Sequence, residues 1–331
     1  MTDSHSGDSS SSPPPFPGTP RPDRSTPKRM KIRVFNPHRL KPAELEESFI
    51  ARQELFRLML DDVAGNRPDG PPQHHLVIGQ RGMGKTTLLR RLALELHREP
   101  YGQTWLPLNF PEEQYIEVDR LSKFWLNCLD AMADALEFEG QTEQVDRIDD
   151  EVQRLTRIRT DETSYHETCR DAFTTLWREL GRRPVLMIDN FNLLLSKLRK
   201  EDYSLRGYFS ANGAPVLIAA STIFPEDMGD YGAAFYDAFM PHYLHALTLE
   251  DVRDVLLRLA DACDRPGIKN RIYQETPRLA ALRDLTGGNP RTAVMLFDLF
   301  ADGFSEDAFE DLDALLDVTT PLYQSRLDQL S

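Results

Sequence analysis

Eight consecutive residues carry the first chemical signal: Gly79-Gln80-Arg81-Gly82-Met83-Gly84-Lys85-Thr86. Glycines at 79, 82 and 84 free the backbone to turn its N–H groups toward one point, which makes a nest for an anion. A helix opening at Lys85 adds the partial positive charge of its N-terminus. The spacing G-x-x-x-x-G-K-[ST] is that of a phosphate-binding loop. The backbone of residues 79–84 would line the nest, and Lys85 would reach the β- and γ-phosphates. The Thr86 hydroxyl would ligate Mg²⁺, with Thr87 beside it among the nucleotide contacts. The Arg81 side chain has no fixed role at its loop position. A second oxygen ligand for the cation belongs at the C-terminal edge of a neighbouring strand, and Asp189, closing the apolar run Pro184–Ile188, has that place. Thr86 and Asp189 are the candidate metal ligands. The pair points to a nucleoside triphosphate held with magnesium.

Positioning these residues requires strands that end where the polar residues begin. His75–Ile78 is apolar and β-branched and runs straight into the glycine loop; Lys85–His97, rich in Leu and Arg, follows as a helix. Trp105–Phe110, Pro184–Ile188 and Pro215–Thr222 read as further strands, and Tyr243–Leu249 as a fifth. A helix is expected over 43–63, and the stretch 119–180 is helical, with stripes at Leu121, Phe124, Trp125, Cys128 and Leu129 and again at Phe173, Leu176 and Trp177. Strands alternating with helices predict an α/β fold with a parallel five-stranded sheet flanked by helices. No strand signal follows residue 250. The expected organisation is a Ser/Pro-rich disordered tail at 1–30, an α/β domain at 31–249 with a helical insertion at about 119–180, and a helical lid at 250–331.

Composition narrows the class. The 331 residues are 40% hydrophobic and 28% charged, which suits a solvated protein with a sizeable core. There is no run of about 18 apolar residues, so no membrane partner is expected. The three cysteines, Cys128, Cys169 and Cys263, are far apart and form no CxxC pair, which fits a reducing cytoplasm. Residues 1–41 hold eight Lys/Arg against three Asp; with −14 on the whole chain, −19 falls on the remainder. That distribution argues against a nucleic-acid-coating surface and leaves only a basic arm for DNA contact. The histidines, among them His74, His75, His166, His242 and His245, lack cysteine partners and read as satisfied or exposed rather than metal-binding.

On these motifs the chain resembles AAA+ and STAND-type P-loop ATPases over roughly residues 43–302. The loop 79–86 matches the family's Walker A and VLMID (185–189) its Walker B. The resemblance implies ATP as the nucleotide. It places Ser221-Thr222, closing the strand VLIAAST, where such proteins carry the polar sensor 1 residue, with Thr222 as the candidate. Gly287-Gly-Asn-Pro-Arg291 is similar to the sensor 2 signature, with Arg291 reaching the γ-phosphate from the lid. Ser48-Phe-Ile-Ala-Arg52 is similar to the segment packed near the adenine, although Arg52 itself reads as a surface helix residue.

Two departures from the family pattern bear on activity. The glutamate that usually follows the Walker B aspartate is Asn190 here, with no carboxylate until Glu201. An amide positions water but takes no proton. The base is then absent, or it is Glu112 or Glu113, just past the second strand. No arginine occurs from Gly207 through Val252, where ring-forming relatives carry an arginine finger. The leading expectation is a slowly hydrolysing ATP switch that engages a protein partner or a second copy. A DNA-associated initiator- or transposition-type ATPase and a non-hydrolysing scaffold stand as alternatives.

Overall fold

Strand residues alternate between two faces, and both faces of this sheet are apolar, which calls for cover on both sides. The computed structural model describes residues 40–110, 118–198, 202–223, 235, 237–262, 265–285, 287–294 and 297. Five parallel strands, β1 (His74–Ile78), β2 (Trp105–Phe110), β3 (Arg183–Ile188), β4 (Val216–Ser221) and β5 (Phe239–Tyr243), stand in the order β2-β3-β4-β1-β5. Leu76, Leu108, Leu186 and Leu217 face one core, closed by Phe124, Trp125 and Leu129 of α4 (Leu121–Phe138) and by Phe173 of α6 (Glu162–Glu179). Val77, Val185 and Ile218 face the other, closed by α2 (Gln53–Ala64) through Phe56 and Met59 and by α3 (Lys85–Leu96) through Leu88 and Leu92. The result is a three-layer α/β/α sandwich whose strand ends all open on one edge.

The helical stretch 119–180 resolves into α4, α5 (Thr142–Thr156) and α6. Gly140, at φ 75°, turns the chain out of α4, and the Asp161 carboxylate caps α6 by accepting the Ser164 N–H at 3.0 Å. The helix expected over 43–63 is two helices, α1 (Pro42–Ser48) and α2, broken at Phe49–Arg52. Arg52 stands in the left-handed region at φ 68°, and its guanidinium donates to the His245 carbonyl at 2.5 Å. That long-range contact overrides the helical periodicity.

The fifth strand is not at Tyr243–Leu249. It is Phe239–Tyr243, because its partner β1 ends at Ile78, paired with Tyr243, and the glycine loop begins. One last link, Leu244 N–H to the Ile78 carbonyl at 2.7 Å, completes the pairing. Pro241 is tolerated there because β5 is the outermost strand of the sheet. β4 likewise stops at Ser221, so Thr222 lies just beyond it. Between β3 and β4 come α7 (Phe191–Lys197) and α8 (Asp202–Phe209), and after β5 come α9 (Leu249–Ala262), α10 (Pro266–Gln274), α11 (Thr276–Leu285) and helical residues 290–294. Residues 1–30, the chain after 297, and Glu112 and Glu113 lie outside the described residues. No described helix is long and apolar enough to cross a membrane.

Candidate functional site

The glycine loop is strung between fixed points. Gly79 N–H donates to the Ser221 carbonyl at the end of β4 (3.1 Å), and Gly84, in the left-handed region at φ 88°, precedes Lys85 at the start of α3. A side chain at Gly84 would meet nothing within 4 Å, so the loop is open on that side. Lys85 is buried, and its ammonium donates to the carbonyls of Gly79 (2.5 Å) and Gln80 (3.2 Å). Burial lowers the Lys85 pKa; the nearby Asp189 charge opposes that shift and Arg81 adds to it. A buried cation bonded to neutral carbonyls at a helix N-terminus favours an anionic occupant.

Strand β3 delivers Asp189 to the same place. The Thr86 hydroxyl donates to Asp189 Oδ2, and the Asn190 N–H donates to Oδ1 at 3.0 Å. Sequence-distant hydroxyl and carboxylate oxygens are therefore in contact, a donor set that suits a hard cation such as Mg²⁺. Asn190 sits in the left-handed region at φ 48°, a conformation asparagine adopts more readily than most residues, and this turns the chain from β3 into α7. Among the described residues no group of three or more His, Cys, Asp and Glu is placed to hold a metal.

Ser221, rather than Thr222, closes β4. Its buried hydroxyl lies 3.2 Å from Asn192 Oδ1 and 2.5 Å from the Ile223 carbonyl, while Thr222 is half-buried beyond the strand. The Gly287–Arg291 motif arrives at the glycine loop itself. Asn289 Nδ2 donates to the Arg81 carbonyl at 2.9 Å, and Asn289 Oδ1 accepts the Arg291 N–H at 2.9 Å. Sequence reasoning passed over Asn289, although Asn followed by Pro at a helix start is an N-cap signature. It also passed over Asn192, whose only signal was its place just past a strand end.

Arg52 is not on a helix surface. It borders a cavity of about 660 Å³ together with Ile50, Leu55, His242, Tyr243 and Asp251, beside the loop that follows β5. A second cavity of about 330 Å³ reaches from Thr86 and Asp189 toward His97 and Phe138. The His74 and His75 rings are buried at the start of β1. His74 accepts the Leu217 N–H at Nδ1 (3.0 Å) and contacts the Phe209 carbonyl through Nε2 (3.2 Å), and His75 pairs with His242 at 3.0 Å. Burial holds His74 down to about 4; burial and the neighbouring His242 hold His75 down to about 3.

A model of the AAA ATPase domain family matches residues 48–218, which spans the glycine loop, Asp189, strands β1 to β3 and the start of β4. The chain belongs to the AAA ATPase family. Proteins of this family are ATPases that generally bind ATP with Mg²⁺ and often oligomerise. No curated protein matches the chain. Among solved structures, this AAA ATPase domain is similar to the Aeropyrum pernix ORC1 protein in complex with DNA, with a TM-score of 0.50 and 13% identity. That match covers 78% of this chain and 61% of ORC1. The A. pernix ORC2 protein in its ADPNP–ADP complexes follows at TM-score 0.47 and 17% identity, covering 81% of this chain and 66% of that one. The Cdc6p protein of Pyrobaculum aerophilum gives 0.43 and 16%, covering 80% and 63%. The chain thus spans under two thirds of the length of ORC1, and at this identity the likeness concerns the fold.

Proposed function

We propose that this AAA ATPase domain binds ATP with Mg²⁺ at residues 79–87 and Asp189, hydrolyses it slowly, and works as a nucleotide-dependent switch. The observation that carries the reading is the contact of the Thr86 hydroxyl with the Asp189 carboxylate directly beside the buried Lys85 ammonium. In the proposal, the backbone of Gly79, Gln80, Arg81, Gly82, Met83 and Gly84 lines the phosphate nest. Lys85 neutralises the β- and γ-phosphates, Thr86 and Asp189 hold the cation, and Thr87 stands beside them. Bound Mg²⁺ supplies charge neutralisation for the phosphate chain. The cavity bordered by Arg52 and Tyr243 takes the adenine, since it is of ligand size and adjoins the loop through Leu244.

Turnover is slow because Asn190 stands where a base would be needed. Its amide accepts a hydrogen bond from water but takes no proton. Thr222 from the sheet and Arg291 from the lid act as γ-phosphate contacts, so that loss of that phosphate frees the lid for a protein partner or a second copy. Phosphate release from purified protein, with and without added duplex DNA, tests the proposal. Slow basal release that DNA leaves unchanged supports the switch. Stimulation by DNA favours an initiator-type ATPase, and binding without any release favours a scaffold. Asn190→Glu should raise release by about 10²-fold, the scale of general-base catalysis. If Glu113 or Glu112 already serves as base, Asn190→Glu changes little, and Glu113→Gln or Glu112→Gln traps bound ATP.

A further inference from the structure

The lid touches the glycine loop through one side chain with two separate tasks. Asn289 is the N-cap of the helical residues 290–294, with Pro290 in the first helical position. Its Oδ1 accepts the Arg291 N–H (2.9 Å), the usual bond of a capping residue to the second helical residue. Because the oxygen is fixed by that bond, the nitrogen is the atom left to meet the Arg81 carbonyl, and it donates to it at 2.9 Å. The approach depends on Gly82: a Cβ there would stand 2.6 Å from Asn289 Oδ1, and φ of 85° at this residue disfavours any side chain. The loop that follows β5 holds the motif from the other side. Leu247 N–H donates to the Gly288 carbonyl (2.7 Å), and Arg283 Nε donates to the Leu247 carbonyl (2.9 Å). Gly288 has no room for a Cβ, which would lie 2.6 Å from that same carbonyl.

In a trans peptide the carbonyl and the following N–H point in opposite directions. Gripping the Arg81 carbonyl from the lid side therefore fixes the Gly82 N–H pointing away from the lid. The geometry points to Asn289 as a positioning residue that sets the Arg81–Gly82 peptide of the glycine loop, so that lid docking and affinity for a phosphate chain are coupled. The coupling rests on the nucleotide-binding reading above and is reciprocal, since a ligand that needs the Gly82 N–H in this orientation also stabilises the docked lid.

Asn289→Ser separates the two tasks, because serine is also a good N-cap but its hydroxyl offers no reach to Arg81. Asn289→Asp is isosteric, keeps the acceptor and loses the donor. Affinities for ATP, ADP and adenosine are measured by calorimetry for the wild type and both variants, together with amide hydrogen exchange over 287–294 without nucleotide. The expected result is wild-type melting in Asn289→Ser, about tenfold weaker ATP and ADP binding, the scale of one hydrogen bond, and unchanged adenosine binding. Asn289→Asp should fall at least as far, and exchange over 287–294 should quicken in both. Equal losses for adenosine, or unchanged ADP affinity, would overturn the assignment. If the wild type binds none of the three ligands, the nucleotide reading fails, and the exchange result still decides whether Asn289 holds the lid to the loop.

Discussion

Asn190 is the residue on which the rate of the proposed reaction turns. It follows Asp189 directly, its backbone N–H is spent on the Asp189 carboxylate, and its left-handed φ of 48° aims the chain into α7. Substituting glutamate there adds a carboxylate at the strand edge but replaces a residue suited to that φ. Asn190→Glu should therefore cost roughly 1 kcal/mol of stability, the scale of left-handed strain, and lower the melting temperature slightly, even as phosphate release rises. A thermal melt beside the release assay checks both parts; release that stays at the wild-type rate would remove Asn190 from the account of slow turnover. Ser221 and Asn192 add a lesson at the same scale. The family resemblance covered Ser221-Thr222 with Thr222 as the candidate; the strand stops at Ser221, and the buried hydroxyl beside Asn192 belongs to Ser221.

Among the elements, α9 is the first helix after the sheet, and its start is built from a reciprocal pair. Thr248 N–H donates to the Asp251 carboxylate (2.9 Å), and the Asp251 N–H donates to the Thr248 hydroxyl (3.1 Å). Thr248→Ala removes one half and should cost about 1 kcal/mol of stability, read from a denaturant midpoint; an unchanged midpoint would show that packing alone starts the helix. Strands β1 to β4 were legible in the sequence because each is a short apolar run closed by a breaker or polar residue, Gly79, Pro111, Asp189 and Ser221, and α3 because Leu and Arg recur after the glycine loop. β5 was not, because Pro241 interrupts its signal and its length is set by where β1 ends rather than by its own residues. The break between α1 and α2 was hidden for a similar reason. Nothing local to Arg52 announces a left-handed turn, and the contact that selects it is with His245, far along the chain. The glycine loop and Asp189 were readable residue by residue. Asn289 was not, since its contact is with the Arg81 carbonyl, more than two hundred residues earlier in the chain.

The whole molecule carries a titration of its own. His74 and His75 are buried as neutral rings, with pKa values lowered to about 4 and about 3. Both are depressed below the unfolded value of about 6.5, so the unfolded chain binds the extra protons. Their contribution is complete above about pH 6.5 and is lost as pH falls toward 4 and 3. Between pH 7 and pH 5 the loss is about 2 kcal/mol for His74 alone. Melting temperature should drop across that interval, and a His74→Gln, His75→Gln variant should show a shallower drop; parallel curves would place the acid sensitivity elsewhere. The same body must hold a nucleotide if the account is right, and calorimetric titration of ATP with and without Mg²⁺ tests that most directly. The account predicts Mg²⁺-dependent binding by the wild type, severe loss in a folded Lys85→Ala variant, and in Asp189→Ala a loss much larger with Mg²⁺ than without. Unchanged ATP affinity in folded Lys85→Ala would contradict it.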